Sequence, residues 1–205
     1  SLILDGYDDK RLEDIAIIRS IPNIMIISPA DSTETVKATI AIMDYDGPVY
    51  LRLTGKGNNP IVYKEDYDFE IGKAIVLKKG VDLTIFATGT MVFQSLEAAK
   101  ILEEKGISVS VNNMHTIKPL DEKAIIKAAI TSKMIVSVEE HSKIGGLGGA
   151  IAECISSIEN SPVLLRLGIE NKFGHAGDYN YMLSQNGLLS NQISNDIEKK
   201  YNSLL

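Results

Sequence analysis

The stretch VSVEEHSKIGGLGGAIAE, residues 136–153, carries the pattern that decides the fold. An apolar run leads into two glutamates and a histidine, then a glycine-rich turn, then an apolar segment with helical spacing. This pattern predicts a buried strand, a tight turn and a helix, whose first backbone N–H groups can bind an anion. The turn is therefore either a phosphate cradle or a corner where glycine lets the helix start close to a neighbouring strand or subunit.

The glycine spacing favours the packing corner. A dinucleotide fingerprint needs a third glycine where Ile151 stands, and no Lys-Ser or Lys-Thr pair follows the glycines as in a phosphate loop. Glu139, Glu140 and His141 suit a catalytic cluster. They suit equally well a polar crevice at the carboxyl end of a strand, where α/β sheets hold ligands.

The other residues that could carry chemistry form no complete site. The three histidines are far apart in sequence, and no carboxylate–histidine motif joins them, so no metal site is expected. His115 is either a site residue or a loop anchor, and His175 could face a ligand or a partner. Cys154 is the only cysteine, which excludes an internal disulfide, and its apolar helical surroundings predict a buried, unreactive thiol. No G-x-S-x-G nucleophile elbow is present.

Strand-like and helix-like segments alternate on both sides of the opening stretch. Strands are expected at 24–28, 49–53, 73–78, 83–87, 107–111, 133–138 and 162–167. Helices are expected at 10–20, from Asp31 or Ser32 to the Gly47-Pro48 stop, and at 90–105, 121–131, 147–158, 178–184 and 191–201. Apolar strands separated by helices are typical of a parallel sheet covered on both faces, so the fold class is α/β.

The elements are divided unequally along the chain. Residues 69–205 contain enough of them for a complete α/β domain, whereas residues 1–53 hold two or three strands and two helices, too few to close a domain. Between them, residues 54–68 (TGKGNNPIVYKEDYD) are rich in breakers and predict a linker. The sequence thus predicts half a domain, a linker and one whole domain.

Composition limits the partners of the chain. Its 205 residues carry a formal net charge of −6, which argues against free nucleic acid or an anionic membrane as a partner. No apolar run could span a bilayer and no signal peptide is visible, so the cytoplasm is the expected location. The chain starts at Ser1 within an apolar run, as a fragment or one polypeptide of a split protein would.

Taken in order, the motifs resemble the C-terminal part of a transketolase, in particular the C-terminal subunit of split bacterial and archaeal transketolases. They are RLEDIAIIRSIPNIMIISPAD, DGPVYLRL, EDYDFEIGKAIVLKKG, NNMHTIKPLDEKAI, VEEHSKIGGLGGAIAE and KFGHAGD. The resemblance implies that residues 1–53 are the second half of a pyrimidine-binding domain and that residues 69–205 are a complete transketolase C-terminal domain with a mainly parallel sheet. It also implies that the glycine turn is a packing corner near a dimer interface.

The resemblance further implies a transferase of the pentose phosphate pathway, which moves a two-carbon ketol unit between sugar phosphates with thiamine diphosphate and magnesium. The catalytic glutamate and the cofactor and metal motifs of that family lie upstream of Ser1, so no catalytic, cofactor or metal residue is assigned. The chain alone is expected to be inactive and to bind no cofactor. Its expected partners are an N-terminal transketolase part, a second copy through the C-terminal domain, and sugar phosphates.

Two substrate residues follow from the resemblance. Asp5 matches the aspartate of the family's D-G-x-T-H-Q segment, which recognises a substrate hydroxyl, and Arg52 in VYLRL matches an arginine that binds the sugar phosphate. The histidine of that segment falls on Asp9, which implies altered substrate handling or a segment that is not in its native form.

Two other hypotheses stay open. One is a non-catalytic dimerisation module. The other is the beta subunit of a 2-oxoacid dehydrogenase decarboxylating component, which shares the T-I-x-P-L-D and GG-x-G features. VEEHSKIGGLGG and GIENKFGHAGD favour the transketolase.

Overall fold

The computed structural model describes residues 12–53, 59–172 and 177–205; Asp5, Asp9 and His175 lie outside the described residues. The described helices are α1 Asp14–Arg19, α2 Ser32–Met43, α3 Met91–Glu104, α4 Glu122–Thr131, α5 Leu147–Ile155, α6 Tyr179–Gln185 and α7 Ser190–Asn202. The described strands are β1 Met25–Ile27, β2 Val49–Leu51, β3 Ile75–Lys78, β4 Leu83–Ala87, β5 Val109–Asn113, β6 Thr116–Lys118, β7 Met134–Ser142 and β8 Val163–Ile169.

Five strands form the larger sheet, in the order β3-β5-β4-β7-β8. Four of them are parallel, and β3 runs antiparallel at one edge. The central strands β4 and β7 are buried along their whole length. This burial explains the largely apolar sequences of β4 and of residues 134–138 of β7, because helices cover both faces of the sheet. The mixed α/β fold with a mainly parallel sheet is confirmed.

Alternate residues of the central strands enter two different cores. Ile85 and Val136 belong to the core that the sheet forms with α3, α6 and α7. Phe86 and Ile135 belong to the core formed with α4 and α5. The period-2 alternation of a strand thus distributes one apolar run between two helical layers.

A smaller sheet, in the order β2-β1-β6, joins the amino-terminal region to the rest of the chain. β1 pairs in parallel with β2, and its other edge pairs antiparallel with β6, where Ile27 lies opposite Thr116. Strand β6 is hard to recognise in the sequence, because three residues in a polar loop show no measurable periodicity. The boundaries 1–53, 54–68 and 69–205 stay predictions, but the first sheet takes one strand from beyond the predicted linker.

The described part of that predicted linker is docked on the start of α2. Residues 59–68 form no helix or strand. The N–H groups of Val62 and Tyr63 both donate to Asp31 Oδ2, and the Tyr63 side chain is buried against the large core. Asp31 therefore holds this segment in place while its other oxygen caps α2.

Helix α2 buries little of its apolar surface. The residues it buries are Glu34 and Ala38. The predicted apolar stripe, Val36, Ile40 and Met43, is 59%, 61% and 77% exposed. The three residues follow the i, i+4, i+7 spacing of one helical face, so the helix forms as the sequence predicts, but the described residues leave this face uncovered.

Candidate functional site

The glycine-rich turn between β7 and α5 is filled by a carboxylate of the chain itself. Glu139 accepts hydrogen bonds from the backbone N–H groups of Leu147 and Gly148, at 2.6 and 2.8 Å. Burial raises the pKa of Glu139 to about 7, although these two bonds and the charges of Arg52 and Arg19 oppose the shift. The position where a phosphate would bind the helix N-terminus is thus occupied.

The glycines of the turn are required for close packing. A Cβ on Gly146 would lie 2.0 Å from Glu139 Oε2, and one on Gly148 would lie 2.5 Å from Ser137 Oγ. Gly145 has a φ of +74° and packs against Ala16 of α1. Of the two interpretations of the turn, the structure supports the packing corner, and the element packed on it is α1 of the same chain.

The polar residues before the turn tie this corner to its surroundings. His141 Nδ1 donates to Ser142 O at 2.7 Å, and His141 Nε2 accepts the N–H of Ala16 at 3.3 Å. Burial lowers the pKa of His141 to about 4, so the ring is neutral. Glu140 Oε2 accepts bonds from the hydroxyls of Thr90 and Tyr179, at 2.5 and 2.6 Å.

Arg52 follows the last residue of β2 and lies beside the same corner. Its Nε donates to Asp14 Oδ2 at 2.7 Å, and its Nη2 donates to Glu140 O at 3.1 Å. The hydroxyl of Tyr50 donates to the same Asp14 oxygen at 2.7 Å. Burial tends to raise the pKa of Asp14, but the charge and hydrogen bonds of Arg52 outweigh it, so that pKa lies below its usual value.

These contacts bring one predicted substrate residue together with the predicted polar crevice. The guanidinium of Arg52, 8% exposed, is fixed at the carboxyl ends of β2 and β7. The carboxyl ends of parallel strands are where α/β sheets hold ligands, and a fixed guanidinium fork matches a phosphate or a carboxylate. Asp5, the other predicted substrate residue, lies outside the described residues.

Comparison with known proteins identifies the family. The model of the transketolase C-terminal domain family matches residues 72–185, more than half of the chain. The chain belongs to this family. The matched residues lie within 69–205, the region predicted to be a whole domain.

Relatives of this transketolase-family chain include proteins named as transketolase subunits. A 6-deoxy-6-sulfo-D-fructose transketolase subunit of Clostridium sp. is 41% identical over 93% of the chain and 58% of its own length. An apulose-4-phosphate transketolase subunit of Phocaeicola vulgatus is 42% identical over 79% of the chain and 51% of its own length. The chain therefore spans little more than half the length of these relatives.

A solved structure has the same fold. It is described as a split gene transketolase, an inactive beta4 tetramer, and is 37% identical with a TM-score of 0.85. The match covers 93% of this chain and 61% of that one.

His115 of the transketolase-family chain has the contacts of a loop anchor. It is fully buried, its Nδ1 lies 2.9 Å from Thr116 Oγ1, and its ring stacks on Phe69 with centroids 4.2 Å apart. Burial lowers the pKa of His115 to about 4. Its carbonyl oxygen accepts the N–H of Ser28, which joins the end of β1 to the larger sheet region.

Cys154 is partly exposed, not fully buried as its surroundings in sequence predict. Burial of part of the side chain and the nearby charge of Glu122 both raise the pKa of its thiol. A raised thiol pKa lowers the thiolate fraction, and the unreactive character of Cys154 stays a prediction.

The residues that orient Arg52 give weak signals in sequence. Tyr50 and Arg52 are two apart on β2 and its end, so a shared side could be inferred from strand periodicity. Asp14 and Tyr179 come from distant helices, and only the folded chain brings them to the site.

The described residues of the transketolase-family chain do not fit a site for thiamine diphosphate and its metal. They contain no group of three or more histidine, cysteine, aspartate or glutamate side chains that could hold a metal ion. The glycine-rich helix start, which could take a diphosphate, is filled by Glu139. Also within the described residues, no helix combines the length and the apolar character that a bilayer-spanning segment needs.

Proposed function

We propose that this chain is the C-terminal part of a thiamine-diphosphate-dependent transketolase, which transfers a two-carbon ketol unit between sugar phosphates. The observation that carries the proposal is the fixed guanidinium of Arg52 at the carboxyl ends of the strands. Family membership supports it, as do the sugars for which the relatives are named, apulose 4-phosphate and 6-deoxy-6-sulfo-D-fructose. The first sugar carries a phosphate and the second a sulfo group, and a guanidinium can bind either anion.

The role of Arg52 is to bind the anionic end of the sugar. Asp14 neutralises part of its charge and fixes its plane, and Tyr50 fixes Asp14 in turn. An arginine held by such contacts loses little side-chain entropy when the substrate binds. In the same proposal Asp5 binds a substrate hydroxyl next to the reacting carbon.

Cofactor binding is assigned to an N-terminal transketolase part, because the described residues contain no group of metal ligands and Glu139 fills the glycine-rich helix start. The chain alone is then inactive, and it supplies substrate contacts and subunit contacts to the complete enzyme in the cytoplasm.

Kinetics of the complete enzyme with its N-terminal partner test the role of Arg52. We expect Arg52→Ala to raise KM for the sugar phosphate by about 10- to 100-fold, which corresponds to the loss of a charged hydrogen bond worth about 1.5–3 kcal/mol. Arg52→Lys should recover part of the loss, because it keeps the charge but not the fork. Arg166→Ala is the matched control: Arg166 lies on β8, and its one side-chain hydrogen bond to the described residues is a 3.4 Å bond to Lys143 O.

An unchanged KM for the sugar phosphate in Arg52→Ala would contradict the assignment of Arg52 as the residue that binds it. Turnover of pyruvate in place of xylulose 5-phosphate would support the 2-oxoacid dehydrogenase hypothesis.

A second candidate function is a self-associating module, and the exposed stripe of α2 favours it. Val36, Ile40 and Met43 present three neighbouring large apolar side chains to solvent. Such a surface is typical of a protein contact. We expect the chain to form dimers or larger oligomers through this stripe, and Ile40→Lys to shift its mass in light scattering toward the monomer. Val81→Lys changes a more exposed apolar residue between β3 and β4, 76% against 61% for Ile40, and should leave the mass unchanged. Equal masses for both variants would rule out the stripe as the contact.

A further inference from the structure

A polar groove, named here the lysine groove, runs along the larger sheet on the side that carries α4. Helices α4 and α5 pack over Phe86 and Ile135 of the central strands. Beyond α4, toward the edge strand β3, the sheet borders a cavity of about 500 Å³. Thr84, Ser110 and Asn112 form its floor. This volume is within the range of small-molecule sites, about 300–1,000 Å³.

The floor is polar where a helix-covered sheet would be apolar. Along β5, Val109 and Val111 enter the core on the α3 side, while Ser110 and Asn112 alternate with them and line the groove. Ser110 Oγ donates to Lys78 O at 3.1 Å and accepts from Asn112 Nδ2 at 3.3 Å. Because of this alternation, β5 presents polar side chains on the groove side, where they can contact water or a polar ligand.

Four lysines stand on the walls of the groove. Lys123 and Lys127 are one helical turn apart on α4, and Lys73 and Lys79 lie just before and just after β3. All four are exposed. None of them forms an ion pair with a carboxylate in residues 12–53, 59–172 or 177–205. In a chain with a net charge of −6, this is a local concentration of positive charge.

The carboxylate that lines the groove does not neutralise these lysines by ion pairing. Asp121 Oδ1 caps α4 by accepting the N–H of Ala124 at 3.0 Å, and its Oδ2 accepts the N–H of Ala74 at 2.8 Å. Gly80 closes one end of the groove. A Cβ there would lie 2.2 Å from the backbone of Val109, so glycine lets this loop approach β5 closely.

We propose that the lysine groove binds a phosphorylated small molecule, at a site separate from Arg52. Lysine ammonium groups bind phosphate oxygens as mobile point charges. One N–H of the Asn112 amide donates to Ser110, and the other can donate to the same phosphate oxygens. Thr84 and Ser110 are each the second residue of their strands, whereas Arg52 contacts Glu140 near the carboxyl end of β7. The two sites therefore lie toward opposite ends of the sheet.

Calorimetric titration of the full chain tests the site with three probes: inorganic diphosphate, fructose 6-phosphate and ATP. We expect saturable binding of at least one probe, weakened about tenfold by the pair Lys123→Gln and Lys127→Gln, which is about 1.4 kcal/mol for two charges. The matched control is the pair Lys199→Gln and Lys200→Gln on α7, which packs on the other face of the sheet. The control pair should bind as the wild type does.

The pattern among probes identifies what is recognised. Equal affinity for diphosphate and ATP means that phosphoryl groups alone suffice, and preference for ATP or the sugar phosphate means that the rest of the ligand contributes. As a second measurement on the wild type, a saturating probe should protect Lys123 and Lys127, but not Lys199, from acetylation read by mass spectrometry. The proposal is overturned if no probe binds, if the Lys123/Lys127 variant binds as well as the Lys199/Lys200 control variant, or if no protection is seen.

Discussion

Two strand–turn–helix corners of this molecule provide hydrogen-bond acceptors for the first backbone N–H groups of their helices in different ways. At the corner from β1 to α2, Asp31 Oδ1 accepts the N–H of Glu34, and Glu34 Oε2 accepts the N–H of Ala30. At the corner from β7 to α5, the N-cap is Gly146, which has no side chain, and Glu139 of the preceding strand binds the first helical N–H groups. The first cap is local in sequence, and the second depends on how strand and helix pack.

The helices that follow the two corners differ in burial. Leu147, Ile151 and Ile155 of α5 are buried in the core that α5 shares with α4. Val36, Ile40 and Met43 of α2 are exposed. An apolar stripe at helical spacing therefore predicts a helix in both regions, but it predicts burial only where the chain supplies the second layer. Among the described residues, no second layer covers the apolar stripe of α2.

The largest change in the free energy of unfolding is expected from a substitution that disrupts the second corner. Gly146→Ala places a Cβ 2.0 Å from Glu139 Oε2, so the carboxyl group must leave at least one of its two backbone bonds. Overpacking and the loss of such a bond together should lower the free energy of unfolding by about 4 kcal/mol. Gly149→Ala, in the same helix, meets only Arg19 at 3.6 Å and should raise it by about 0.5–1 kcal/mol. Urea denaturation of both variants measures the difference, and equal stabilities would contradict the packing role of the turn.

An intermediate effect is expected at the first corner. Asp31→Ala removes the cap of α2 and the acceptor for the N–H groups of Val62 and Tyr63, and should lower the free energy of unfolding by about 2–3 kcal/mol. Asp178→Ala removes an exposed cap with one bond, to Tyr181 N, and should cost about 1 kcal/mol. The excess of the first loss over the second measures how firmly residues 62–63 are docked. No excess would show that the docking contributes nothing to stability.

The smallest expected effect concerns pH. Burial raises the pKa of Glu34 from 4.5 to about 7, although bonds from Ala30 and Asn113 oppose the shift. The folded chain then holds a proton that the unfolded chain has released, so Glu34 makes the free energy of unfolding fall as pH rises from about 4.5 through 7. Between pH 6 and 7 the wild type should lose about 1 kcal/mol more than Glu34→Gln, because one proton corresponds to about 1.4 kcal/mol per pH unit.

Denaturation curves at pH 5, 6, 7 and 8 check this prediction. Parallel stability profiles for the wild type and Glu34→Gln would contradict it. Glu139 remains in both proteins, so its own titration cancels in the comparison.

How far the fold follows from the sequence depends on whether a signal is local. Periodicity and breakers predict the described helices and seven of the eight strands, because each signal lies within one segment. The sequence does not predict β6, because its pairing with β1 joins residues that are far apart in the chain. The exposure of the α2 stripe is not predicted for a similar reason: a helical pattern does not indicate whether another layer of the chain covers the helix.

The candidate site also combines residues that the sequence predicts with residues that only the folded chain brings together. Arg52 comes from resemblance of a motif, and its position at a strand end agrees with the polar crevice expected near Glu140. Asp14 and Tyr179 come from the amino-terminal helix and from α6, and no local pattern connects them with β7. The role of Glu139 as a helix cap also depends on a close approach that glycine permits but does not specify.

The third strand of the small sheet has a consequence for synthesis. β1 and β2 leave the ribosome long before β6, because they come much earlier in the sequence. The pairing of Ile27 with Thr116 forms only after Thr116 has been translated. At roughly 5–20 residues per second, the two amino-terminal strands spend several seconds without the neighbour that completes their sheet. A nascent chain stalled before residue 116 lacks β6 and cannot form the three-stranded sheet, so the amino-terminal region is completed by a strand that is translated long after it.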